Sequence, residues 1–225
     1  MVGISGESRY NLIRSTVPAA LAPDVEIAIP PRSPVVYPPR KRWTRAECQS
    51  LESTGLWNRD RFELIDGELI TKMPKNRPQA LVVMLVAEWL RSVFGPYRLN
   101  REVPVDVAPE DNPTSEPEPD IAVLVKSAKK YQDAPPPAAD VQLLVEVSDS
   151  TVAFDLGPKA RLYARAGIPD YWVFDIQSRR IITHRDPRDG VYTTVAAYIE
   201  GETVAPLIAP EALLPVVAAF AINED

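Results

Sequence analysis

The chain has 225 residues, 45% hydrophobic and 25% charged, which suits one globular domain with extensions and a sizeable core. A single cysteine and a single histidine exclude a disulfide framework and a Cys/His zinc site within one chain, while a hard, oxygen-ligated metal such as Mg2+ stays open. The net charge of −6 offers no general attraction to nucleic acid, so any basic surface must be local.

The opening "MVGISGESRYNLIRS" lacks the apolar core of a signal peptide. Residues 1–43 hold seven of the 24 prolines and read as an extended arm ahead of a domain over residues 44–225. Thr44 and Glu47 form a capping box that starts a helix carrying Cys48 as a small core residue, and Gly55 stops it. "RFELIDGELITKM" predicts a β-hairpin turning on Asp66-Gly67. Residues 79–94 are apolar at twelve of sixteen positions and predict a helix buried on most sides. Its apolar run from Ala80 stops at Glu88, short of the ~20 residues of a membrane span, so the expected location is cytoplasmic.

Strands are expected at 98–107, 120–125, 141–147, 171–176 and 180–185, with a helix from Pro158 to Ala166 and a short one near 210–220. Tyr171-Trp172 reads as core, and His184 as a surface residue on an edge strand.

Two carboxylates stand out because apolar strands should exclude them. Asp120 opens the strand "IAVLV", and Glu146 lies within "VQLLVEV". The connector between them contains "APPPAA", which cannot form a crossover helix, so the strands are expected to run antiparallel. The start of one strand then lies beside the end of the other, and the acids meet at one sheet edge. Buried together they repel; a shared divalent cation relieves this, and protonation of one acid is the alternative. The Val147 carbonyl offers a third oxygen ligand for Mg2+.

On the following helix Leu162, Tyr163 and Ala166 share a face with Lys159, while Arg161 and Arg165 take the other side. An inward lysine beside two inward acids points to metal-assisted phosphodiester hydrolysis, the ammonium stabilising charge on a phosphate or orienting the attacking water.

"RFELIDGELI", "SEPEPDIAVL", "LLVEVSDSTVAFDLGPKARLYARAGIPDYWVFD" and "GETVAPL" resemble the Uma family of putative restriction endonucleases, within the PD-(D/E)XK nuclease superfamily. The resemblance runs from about Arg40 to the C-terminus. It implies an α/β, restriction-endonuclease-like core with a central mixed sheet flanked by helices, the hairpin lying N-terminal to it. It also implies DNA cleavage with Mg2+, Mn2+ being a substitute, by a homodimer. Asp120 takes the "PD" role and Glu146 that of the second acid. The usual E-x-K lysine is absent, since Ser148 stands there, and Lys159 on the next helix matches a displaced lysine. Glu63 in the hairpin resembles the family's extra acidic residue; as a strand charge it reads equally well as exposed. Many members carry a histidine near the position of Gln79, which this chain lacks, and Val-Ser-Asp-Ser-Thr follows where Leu-Ser-Pro-Ser is commoner. A reading of a different class is a catalytically silent nucleic-acid-binding or structural relative with the same fold. The acidic net charge favours that reading, and the intact Asp120, Glu146 and Lys159 favour the enzyme.

Overall fold

The computed structural model describes residues 39–55 and 61–221. The expected arm, residues 1–43, therefore lies outside the described residues as far as position 38. Helix α1 (Arg45–Ser53) starts at a closed capping box: Glu47 N donates to Thr44 Oγ1 at 3.2 Å, and Thr44 N donates to Glu47 Oε2 at 3.0 Å. Hairpin strands β1 (Phe62–Ile65) and β2 (Glu68–Thr71) join through Asp66 and Gly67, both left-handed at φ 47° and 77°. Glycine is needed there twice over, because a Cβ at Gly67 would also come within 2.9 Å of Arg42 Cβ. Helix α2 (Arg77–Phe94) is capped by Asn76, whose Oδ1 accepts from Gln79 N at 2.9 Å, and it buries Val82, Val83, Val86, Ala87 and Leu90.

The central sheet has six strands in the spatial order β3 (Leu99–Asn100), β4 (Ile121–Leu124), β5 (Val141–Ser148), β6 (Asp170–Asp175), β7 (Arg180–Arg188), β8 (Val191–Tyr198). Strands β5 and β6 run parallel and the other neighbours antiparallel, so the sheet is mixed. A parallel neighbour needs a crossover, and here it is helical: α3 (Val152–Phe154), a π turn at Asp155–Lys159, then α4 (Ala160–Arg165). On one face α2 packs Val82, Val86 and Leu90 against Val145, Trp172 and Phe174, joined by Val216 and Phe220. Val216 belongs to α5 (Val216–Ala219), which follows the short pair β9 (Thr203–Val204) and β10 (Leu214–Pro215). On the other face α4 packs Leu162 and Tyr163 against Leu144, Tyr171 and Val173. Central β6 and most of β5 are buried on both faces, which explains their unbroken apolar runs.

Four expectations change. The strand expected at 98–107 pairs only at Leu99 and Asn100, because Glu102 turns left-handed at φ 53° and Pro104 follows. The helix expected to start at Pro158 starts at Val152 and carries Pro158 inside it. Proline has no N–H for the Phe154 carbonyl, and the turn widens: Ala160 N reaches back five residues to Asp155 O. His184 is not on an edge strand. Strand β8, whose exposed alternation is weakly apolar, covers β7 and leaves His184 5% exposed, with ring centroids 5.3 Å from Tyr171 and 5.6 Å from Tyr192. Cys48 is half-buried rather than core. The expected tail helix is present as α5, with Pro215 at its N-cap, where no helical N–H is lost.

Candidate active site

Strands β4 and β5 are antiparallel with Ile121 facing Val145 and Ala122 facing Leu144. Extending that ladder by one residue sets Asp120 opposite Glu146, and facing residues of an antiparallel pair project to the same side. Both acids are buried. Asp120 Oδ2 accepts from Val147 N at 2.7 Å, which fastens the carboxylate to the end of β5.

Lys159 reaches the pair from the crossover. Its Nζ lies 2.8 Å from Glu146 Oε1 and 3.0 Å from Glu63 Oε1, and only 5% of the residue is exposed. Four residues on, along the same helix face, Tyr163 OH donates to the same Glu146 oxygen at 3.1 Å. Glu63 is a buried member of this cluster rather than an exposed strand charge. The hairpin brings it in: Leu64 bridges Glu116, and Glu118 N donates to Glu63 Oε1 at 2.8 Å. Arg165 latches the hairpin to α4 through Asp66 at 2.8 Å and the neighbouring loop through Asp111 at 2.7 Å.

Ser148 shows how the site manages without an E-x-K lysine. Two residues beyond Glu146 it points to the same face, and its Oγ donates to Asp155 Oδ2 at 2.6 Å. Thr151 Oγ1 donates to the same oxygen at 2.8 Å, so the position tethers the π turn from which Lys159 extends. The helix delivers the ammonium that the strand does not.

The electrostatics follow from burial and imbalance. Glu63, Asp120, Glu146 and Asp155 are buried carboxylates, and among the described residues Lys159 is the buried ammonium set against them. Burial, reinforced by Asp155, Asp120 and Glu63, pushes the Glu146 carboxyl well above the usual carboxylate range, although Lys159 opposes the shift. Burial also works against the Lys159 ammonium, yet Glu146, Glu63 and Asp155 together hold it well above the ordinary lysine value. Burial raises Asp155 too, partly offset by Lys159, Ser148 and Thr151. The cluster therefore carries more negative charge than its own cations neutralise. Extra positive charge, as protons or a divalent ion, is what it can take up.

A second lysine, which the sequence reading missed, stands at the rim. Lys75 Nζ lies 2.9 Å from Asp120 Oδ1 and also pairs with Glu102. Gln79 Nε2 donates to the Val147 carbonyl at 2.7 Å. No group of three or more His, Cys, Asp or Glu side chains stands arranged around a cation position among the described residues. The donor chemistry nevertheless fits Mg2+. Asp120, Glu146 and the Val147 carbonyl offer oxygen alone, Glu146 Oε2 takes no hydrogen bond from the described residues, and Mg2+ is commonly held by one or two carboxylates.

With this geometry in view, a family model described as "Putative restriction endonuclease", Uma2, matches residues 47–217. The chain belongs to the Uma2 family. The matched span includes Glu63, Asp120, Glu146 and Lys159. The Uma2 chain is also similar to a solved structure from Anabaena variabilis ATCC 29413, described as a putative nuclease belonging to DUF820. The TM-score is 0.57 at 16% identity, over 76% of this chain and 96% of that one. At that identity the likeness speaks for the fold: a nuclease-like α/β core with a central mixed sheet, flanking helices and the β1–β2 hairpin. None of the curated proteins matches. No helix among the described residues is long and apolar enough to cross a membrane.

Proposed function

We propose that this Uma2 protein is a metal-dependent endonuclease that hydrolyses DNA phosphodiester bonds, with Mg2+ as the natural ion and Mn2+ as a substitute. The observation that carries the reading is the ammonium of Lys159 held at 2.8 Å from Glu146 and 3.0 Å from Glu63, beside the facing Asp120–Glu146 pair. Asp120, Glu146 and the Val147 carbonyl would hold the ion, which supplies Lewis-acid stabilisation of the phosphate's negative charge.

The chain's own groups divide the remaining work. Lys159 stays protonated at neutral pH because its carboxylate neighbours hold it above its ordinary value. It therefore serves as a fixed positive charge for the pentacoordinate transition state and not as a general base. Glu63 and Glu146 fix the direction of that ammonium, and Tyr163 fixes Glu146. Ser148 and Thr151 hold Asp155 and with it the π turn, so that Lys159 is presented from a rigid segment.

A second reading, a nucleic-acid-binding relative without catalysis, draws on the net charge of −6 and on ammonium groups already placed at Asp120 and Glu146. Cleavage of plasmid and single-stranded DNA with Mg2+, Mn2+ or EDTA separates the two. Metal-dependent nicking supports the enzyme; intact DNA under all conditions, with binding in a shift assay, supports the silent relative.

A further inference from the structure

The segment Lys75–Gln79 closes on the same oxygens that the proposed function assigns to a divalent ion. Lys75 Nζ is 2.9 Å from Asp120 Oδ1, and Gln79 Nε2 holds the Val147 carbonyl at 2.7 Å. Between them Asn76 Nδ2 donates to Asp149 Oδ2 at 2.6 Å, just past the end of β5. The second Asp120 oxygen is taken by Val147 N. Lys75 therefore engages the one Asp120 oxygen that the strand leaves open.

Lys75 also has a second place to rest. It pairs with Glu102, whose N donates to the Pro119 carbonyl at 3.2 Å, beside Asp120 in the chain. Its side chain is 27% exposed, unlike that of the enclosed Lys159, so it can leave Asp120 without crossing the core. A lysine ammonium and a divalent ion repel within a few ångströms of each other, so an ion at that carboxylate oxygen competes with the lysine for it.

We propose that Lys75 is a built-in counter-cation of Asp120, which a divalent ion displaces onto Glu102 on binding, so that Lys75 sets the metal affinity of the site. This rests on the metal reading above. An ion entering wild-type protein must break the lysine's charge-assisted bond to Asp120, and an ion entering a protein without that bond need not.

The test is a Mg2+ and Mn2+ titration of the full chain, followed by thermal melting, with acetic anhydride labelling of lysines read by mass spectrometry. Lys75→Met is expected to reach half-maximal stabilisation at about tenfold lower metal concentration. Lys75→Arg, which keeps the cation, should titrate near wild type. So should Lys72→Met, which removes an equal charge from nearby Glu118. In wild-type protein, Lys75 should acetylate faster once the metal is saturating. Lys75→Met binding metal no more tightly than Lys72→Met overturns the proposal, as does Lys75 labelling that saturating metal leaves unchanged. Asp120→Asn separates the two levels of the argument. If wild type responds to metal, Asp120→Asn does not, and Lys75→Met matches wild type, only the Lys75 proposal falls. If wild type and Asp120→Asn respond alike, or neither responds, the metal reading falls and takes the Lys75 proposal with it.

Discussion

Replacing Lys159 with methionine should cost stability as well as activity, and the cost should depend on pH in a defined direction. The ammonium contacts two carboxylates at 2.8 and 3.0 Å in a position 5% exposed. Methionine fills the groove beside Leu162 and Tyr163 but leaves Glu63 and Glu146 without their cation. Breaking a buried ion pair from one side costs about 3–5 kcal/mol, a fall in melting temperature on the order of 10 °C for a chain of this size. In wild type the folded Lys159 lies above its ordinary 10.5, so its contribution is complete below that value and is lost as pH rises from there through the folded value. The deficit of the variant at pH 7–8 is therefore fully expressed. Glu146 is already held above its ordinary 4.5, and losing Lys159 raises it further. A carboxyl with a raised folded pKa favours the folded state once it is protonated, so the variant should recover stability as pH falls toward that ordinary value. Adding Glu63→Gln to Lys159→Met should recover part of it at neutral pH, because one unpaired acid is removed. Melting curves of the three proteins from pH 5 to 8.5 check this. A Lys159→Met protein as stable as wild type at pH 8, or one whose deficit grows toward pH 5, refutes the reasoning.

His184→Phe should stabilise the protein by about 1 kcal/mol, because buried His184 Nδ1 finds no hydrogen-bond partner among the described residues and phenylalanine can stack between Tyr171 and Tyr192. Burial lowers His184 from its ordinary 6.5, a backbone contact with Tyr171 partly opposing, so its wild-type contribution is present above pH 6.5 and is lost as pH falls through the folded value. The advantage of the variant should thus widen from pH 7 to 5 in denaturant unfolding, and a constant gap would contradict it. Gly67→Ala should destabilise by about 1 kcal/mol or more, since alanine at φ 77° is strained and its Cβ meets Arg42 at 2.9 Å. Because the same hairpin carries Glu63, DNA cleavage should fall further than the loss of folded protein alone explains.

The acids were legible because their local sequence contradicts their surroundings: Asp120 and Glu146 are charges in strands that are otherwise apolar, and a proline-rich connector allows those strands only an antiparallel pairing. Lys159 was legible from its spacing to Leu162 and Tyr163, which survived although the helix begins earlier and carries a π turn. That turn was not legible, since Gly157-Pro158 is also a sound helix start. Glu63 could be placed in a strand, but only the family resemblance pointed it toward the site and an exposed strand charge read equally well, because its burial depends on Leu64 docking against Glu116, a contact 52 residues away in sequence. Lys75 left no signal at all. It lies between two elements, without periodicity, and acquires meaning only when α2 and β4 are brought together. Strand β8 was missed because its outer face is exposed, and that error misplaced His184.

The most direct measurement is the rate of plasmid cleavage by wild type and by Glu146→Gln in Mg2+, each confirmed folded by circular dichroism. Glutamine keeps the shape and the acceptor for Tyr163 while removing the charge, and a loss of about 10²-fold or more is expected, the scale seen when one preorganised transition-state group is removed. Wild-type protein that leaves DNA intact, or a Glu146→Gln variant that cuts as fast as wild type, would contradict the account.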